Sequence, residues 1–152
     1  MNTNEKIVAT GELKIVVTAP DGTVKHEQKV KNLVVTTGLG YIASRMKDTT
    51  ATAMSHMAIG TNSTAAAANN TTLGTESARV ALTSTTVTAA AVAYVATFPA
   101  GTPATLAAIT EAGLFNASSA GTMLCRTVFS VVNKDVNDTM SITWTVTMAA
   151  PV

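Results

Sequence analysis

Asp138-Thr139-Met140-Ser141-Ile142-Thr143-Trp144-Thr145-Val146-Thr147-Met148 is the stretch that decides the fold class. Every even position from Met140 to Met148 is apolar and every odd one from Thr139 to Thr147 is Ser or Thr. A period of two puts one set of side chains on each face of a pleated strand, and β-branched Thr suits the polar face. The segment before it, Gly121 to Val132, reads as a second strand, and residues 132–138 supply turn chemistry between the two. Ile109 to Asn116 reads as a third strand, with 116–121 as its exit loop. Three successive antiparallel strands form the expected meander, with Phe98, Leu114, Phe129, Ile142, Trp144 and Val146 as core residues.

The chain has 152 residues, one domain by the usual prior and long enough to bury its own core. Only 12% of residues are charged, about half the globular average. Most charges lie before residue 49; beyond it only Arg79, Arg126 and Lys134 face Glu76, Glu111, Asp135 and Asp138. The exterior must therefore be largely Thr, Ser, Asn and Ala. A free monomer normally keeps mixed surface charge for solubility, so this exterior suits a subunit packed against other protein.

Net charge near +1 argues against nucleic acid as a partner, which would require a clustered basic face. Lys25, Lys29 and Lys31 fall on alternate positions of a strand and read as a solvated, edge-protecting face. Cys125 is the single cysteine, in phase with Met123 and Phe129, and reads as a small buried thiol. The polar, charged residues 1–11 lack a signal-peptide pattern, and no apolar run is long enough to span a membrane.

Residues 1–10 read as an N-terminal arm and 11–152 as the folded domain. Leu13, Ile15 and Val17 alternate on one strand, Ala19-Pro20-Asp21-Gly22 signals a turn, and Val24, His26, Gln28 and Val30 align on the return strand. Leu39, Ile42, Ala43 and Met46 recur at helical spacing over 37–47, with Thr36 or Thr37 as N-cap and Arg45 and Lys47 in the last turn. Met54 to Gly60 is a short strand. Residues 61–72 carry no large apolar anchor and read as a long surface loop, a candidate contact segment together with the arm. A strand begins near Val80, and 86–98 reads as one extended segment ended by Pro99. The sum is an all-β fold: a single β-sandwich, jelly-roll-like, of about eight strands with one short α-helix.

No phosphate loop, Cys-x-x-Cys, His-x-x-x-His or nucleophile elbow is present, so no catalytic, cofactor or metal site is expected. His26 and His56 lack the spacing of metal ligands. Glu76 and Glu111 could form a carboxylate pair, but with Arg79 and Arg126 available the four read as structural ion pairs where loops cross the sheet.

The order of short phrases resembles a group of small tailed-bacteriophage virion proteins, decoration (cement) or tail-fibre-like. The phrases are Val30-Lys31-Asn32-Leu33-Val34, Met57-Ala58-Ile59-Gly60-Thr61, Leu73-Gly74-Thr75-Glu76 with Arg79, and Ala96-Thr97-Phe98. They continue through Ile109-Thr110-Glu111-Ala112-Gly113-Leu114-Phe115, Met123 to Phe129, and Ile142-Thr143-Trp144-Thr145-Val146. The resemblance implies a non-enzymatic virion component, assembled in the host bacterial cytoplasm. Its implied partners are the major capsid protein or other virion subunits, with a dimer or trimer of the chain itself. A decoration protein on the head and a tail or fibre component compete; the lack of an internal repeat favours the head. A glycan-binding β-sandwich is a third reading, weakened because Trp144, Tyr41 and Tyr94 all lie in phase with apolar neighbours.

Overall fold

The computed structural model describes residues 6–47 and 51–149. Its elements are β1 (Val8–Thr18), β2 (Val24–Val34), α1 (Thr36–Lys47), β3 (His56–Gly60), β4 (Glu76–Ala81), β5 (Ser84–Thr88), β6 (Ala91–Phe98), β7 (Ala107–Phe115), β8 (Met123–Lys134) and β9 (Thr139–Ala149). The nine strands are hydrogen-bonded side by side in one curled sheet, in the order β4-β3-β7-β8-β2-β1-β9-β6-β5, with every ladder antiparallel. The fold is all-β with one helix, as expected. The strands number nine rather than about eight, and their single continuous ladder does not establish a jelly-roll sandwich.

β9 lies between β1 and β6, and its alternation sets three apolar rows across the three strands. Leu13, Trp144 and Tyr94 share one row, Ile15, Ile142 and Ala96 the next, and Val17, Met140 and Phe98 the third. All nine are buried. The opposite face carries Lys14-Thr143-Val95 and Glu12-Thr145-Ala93, half-buried to exposed. β1 and β2 meet through the expected turn, where Gly22 takes φ +88° and Asp21 Oδ1 accepts the Thr23 amide at 2.9 Å.

β2 is the hinge of the curl. It pairs with β1 as far as Asn32, and beyond that Leu33 and Val34 pair with Arg126 and Cys125 of β8. The sheet bends there, so that Leu13, Phe98 and Trp144 from one half pack with Met57, Ile59, Leu114 and Phe129 from the other in one core. Burial of each large side chain contributes about 2 kcal/mol. The expected core residues Phe98, Leu114, Phe129, Ile142, Trp144 and Val146 are all buried in it.

Three expectations are corrected. The meander ends at β8: β7 and β8 pair, but β8 and β9 do not, and β9 pairs with β1 and β6 instead. The turn at 135–138 carries the chain across the core from one half of the sheet to the other. Lys134, 1% exposed, holds that crossing by donating from Nζ to the carbonyls of Asp138 at 2.7 Å and Pro99 at 3.0 Å. Its burial depresses the ammonium pKa, partly offset by the Asp138 charge. On the outside, Lys25 bridges Asp135 at 2.8 Å and Asp138 at 2.7 Å.

The second correction is that 86–98 is not one strand. β5 and β6 form a hairpin about Ala89 and Ala90, with Thr88 opposite Ala91 and Ala89 at φ +51°. No Gly, Asn or Pro marks this turn, which is why its sequence looked continuous. The third concerns α1. Of its expected apolar stripe only Ile42 packs inward: Leu39, Ala43 and Met46 are exposed, and the packed side is Gly38, Tyr41 and Ile42. Gly38 lies so close to the Leu124 carbonyl that backbone contact, rather than a side-chain stripe, sets the docking. Neither Thr36 nor Thr37 caps through its hydroxyl; the Val35 carbonyl accepts the first helical amide, from Leu39, and Thr37 Oγ1 donates to Met123 O at 3.1 Å.

Of the proposed arm, Val8, Ala9 and Thr10 are part of β1, opposite Ala149, Met148 and Thr147, while residues 1–5 lie outside the described residues. Gly38→Ala tests the close helix approach. A Cβ there would meet the Leu124 backbone, so we expect a loss of about 1–3 kcal/mol in urea unfolding. Gly40→Ala, where a Cβ meets nothing, should be neutral or stabilising.

Candidate functional site

β7 is buried on both faces, which its sequence alone does not require. Ala112 and Leu114 enter the main core, whereas Glu111, Gly113 and Phe115 point to the other side. That outer side is roofed by the loop 61–75, whereas Tyr41 and Ile42 of α1 pack against the main core. Leu73, 6% exposed, is the loop's apolar anchor, packed with Val35, Ala58, Phe115 and Met123 in a second small core. It stands one residue past the low-complexity stretch, and so the loop looked unanchored in sequence.

Beneath the roof, Glu111 and Arg126 form a buried ion pair, 0% and 3% exposed. Arg126 donates to Glu111 Oε2 from Nη2 at 2.8 Å and from Nε at 3.0 Å. The carboxylate also accepts the loop amides of Thr75 at 2.7 Å, Gly74 at 2.9 Å and Asn62 at 3.3 Å. Arg126 returns the contact, donating to Thr64 O at 3.0 Å and Asn70 Oδ1 at 2.9 Å. Thr110 Oγ1 adds a bond to Asn62 O, and the Thr36 amide donates to Ala68 O. Gly60 is required here, since a Cβ would strike Glu111 Oε1 and the Thr75 carbonyl.

Burial pushes the Glu111 pKa up, but the amides of Thr75 and Gly74 and the Arg126 guanidinium together outweigh it and leave the group below the ordinary glutamate value. Glu111 is therefore an ionised acceptor with its lone pairs committed, and has no free site from which to take a substrate proton. The pair is mechanical: it fixes the shape of a loop.

Glu76 and Arg79 form the other pair, bidentate at 2.9 Å and 2.7 Å on β4. Arg79 also donates to the carbonyls of Ala117 and Ala120, and its guanidinium stacks 3.8 Å from the centre of the Phe115 ring. Each glutamate is thus engaged by its own arginine. His26 bonds to Gln28 and His56 to Ser55, and no group of three or more metal-ligating side chains occurs among the described residues. Cys125 is buried, and burial raises its thiol pKa. Trp144 and Tyr94 are core residues, with burial pushing the Tyr94 hydroxyl to about 12.

What the clamp presents outward is a neutral ridge. Ser63, Thr64, Ala65, Ala67, Ala68 and Asn69 are exposed, while the carbonyls of Thr64 and Ala65 accept from Arg126 beneath them. Beside it runs an open groove of about 450 Å³ between α1 and the loops, lined by Tyr41, Ser44, Thr71 and Thr122 among others. Apolar side chains are exposed nearby: Ile7, Leu33, Leu39 and Met46, the last at 83%. The ridge is thus uncharged and held in one shape by its bonds to the buried pair, so its ordering entropy is already spent.

Comparison with protein-family models, with curated proteins and with solved structures finds no match in any of the three.

Two outcomes test the clamp. Arg126→Met leaves a buried carboxylate without its cation and should cost about 3–5 kcal/mol of unfolding free energy, with Glu111→Gln plus Arg126→Met milder than either single change. Because the folded pKa of Glu111 lies below its unfolded value, the stabilisation is fully present above about pH 4.3 and is lost as pH falls through the folded pKa. Stability measured against pH should fall less steeply in Glu111→Gln than in the parent across that acid window.

Proposed function

We propose that this chain is a structural subunit of a bacteriophage particle, a capsid decoration (cement) protein seated on the outside of the head and bridging major capsid subunits. The observation that carries this reading is the exterior. From Val80 to Thr110 there is no charged residue, and this span includes β5, whose residues are all exposed. Ile7, Leu33, Leu39, Met46, Val87 and Leu106 add exposed apolar area at several sites. Such a surface is costly for a solitary protein and favourable for one covered by neighbours. The ordered phrase resemblance to small tailed-phage virion proteins supports the same reading. The engaged state of Glu76 and Glu111 supports a binding role over a catalytic one.

In this role each copy would lay the 61–75 ridge and the flank of α1 across a joint between capsomers. An interface of about 1,600 Å² is typical of stable association, and repetition over a shell multiplies a modest gain per copy. A tail or fibre component is the alternative role; copy number per particle separates the two, hundreds for the shell and a handful for the tail.

Particles lacking the protein should release their genome at lower temperature or milder osmotic shock than complete ones. Leu39→Glu with Met46→Glu should fold normally yet occupy particles at least about tenfold more weakly, the effect of losing roughly 1.4 kcal/mol of contact. Unchanged particle stability without the protein would reject the cement role.

A further inference from the structure

Among the described residues the sheet has two open edges, β4 and β5, and they are built differently. β4 is guarded: it carries the Glu76–Arg79 ion pair, and Arg79 reaches across to the carbonyls of Ala117 and Ala120. β5, Ser84-Thr85-Thr86-Val87-Thr88, has none of the usual guards. Every residue is exposed, none is charged or proline, and its ladder to β6 runs without a bulge. Unpaired edges of this kind are templates for another strand. Val87, 71% exposed and opposite Val92 in the hairpin, is an apolar side chain left open at that rim.

We infer that β5 is the pairing edge of a two-fold dimer, in which a second copy adds its own β5 antiparallel and in register about Thr86. The sequence of the strand is what identifies the partner. Two-fold symmetry makes the contact isologous, so Thr86 meets Thr86, Thr85 meets Val87 and Ser84 meets Thr88. Each is an uncharged β-branched or hydroxyl pair of the kind that stabilises cross-strand contacts. A charged residue on this strand would face a like charge across or near the axis. The nearest charged residues in sequence are Arg79 and Glu111, both outside the hairpin. A five-residue strand pair covers less than the standard interface, so the dimer is weak in dilute solution and favoured where copies are concentrated. The inference rests on the edge itself and stands whether or not the particle role is correct.

Sedimentation velocity over a concentration series, on the full chain, reads the association directly. The parent protein should shift from monomer to dimer as concentration rises. Val87→Lys, at an exposed position, should retain the parent circular dichroism spectrum and weaken association at least tenfold. A second variant does not depend on affinity: Thr86→Cys should form a disulfide-linked dimer under mild oxidation, because directly opposed residues in an antiparallel pair lie within disulfide reach. Ala81→Cys on β4 should cross-link far more slowly, and native Cys125 is buried and silent. A parent that stays monomeric at millimolar concentration overturns the inference. So does dimerisation undiminished by Val87→Lys, or equal cross-linking from the two cysteine variants.

Discussion

The Glu111–Arg126 pair is the interaction on which the outer half of the molecule depends. Two opposite charges are removed from water beneath a loop, an arrangement that stabilises only when nearly all their hydrogen-bonding capacity is met. Here it is met by backbone: three amides of 61–75 point at the carboxylate, and the guanidinium is satisfied by the carboxylate, two loop carbonyls and Asn70. The pair and the loop are therefore one unit. Remove the ions and the loop loses its shape; remove the loop and two charges are stranded over β7 and β8. Residues 61–72, a surface loop by sequence, are in this way bonded to the sheet beneath them.

The same logic of polar groups holding backbone in place recurs at the crossing between the two halves. Lys134 is a buried cation fastened to the Asp138 and Pro99 carbonyls, and its role is to keep β8 and β9 on opposite sides of the core. Asn32, inside the β1–β2 ladder opposite Gly11, accepts the Trp144 indole at 3.0 Å, and a Cβ at Gly11 would collide with it. Of the few charges beyond residue 49, Glu111, Arg126, Lys134 and Asp138 are placed inside as fasteners, which leaves that part of the surface sparsely charged, while Glu12, Lys14, Glu27, Lys29 and Lys31 remain exposed on β1 and β2. The sparsely charged exterior beyond residue 49 and the buried polar frame are two results of one allocation.

That allocation also explains what could be read from sequence. The alternation of β9 and of the β1–β2 hairpin is legible because one face of each strand is buried and the other wet. The pairing partners of β9 were not, since a short polar turn such as 135–138 can close a hairpin or carry a crossing, and only the far side chains of Lys134 and Lys25 decide which. The β5–β6 turn was invisible because Ala89 adopts a positive φ without any residue that advertises one. The helix was placed correctly and faced wrongly: its contact is through Gly38 on Leu124, a close backbone approach that a search for apolar stripes passes over. Glu76, Arg79, Glu111 and Arg126 stood out as ion-pair candidates because they are isolated charges in a neutral chain, yet nothing local showed that Glu111 would also gather Asn62, Gly74 and Thr75.

Amide hydrogen exchange at Gly74 and Thr75 tests most directly whether the loop belongs to the folded frame. If it does, these two amides exchange only on global unfolding, as slowly as the Ile142 amide in the centre of β9, and Arg126→Met accelerates them at neutral pH. Exchange at the rate of an open surface loop in the parent protein, unaltered by that substitution, would contradict the account.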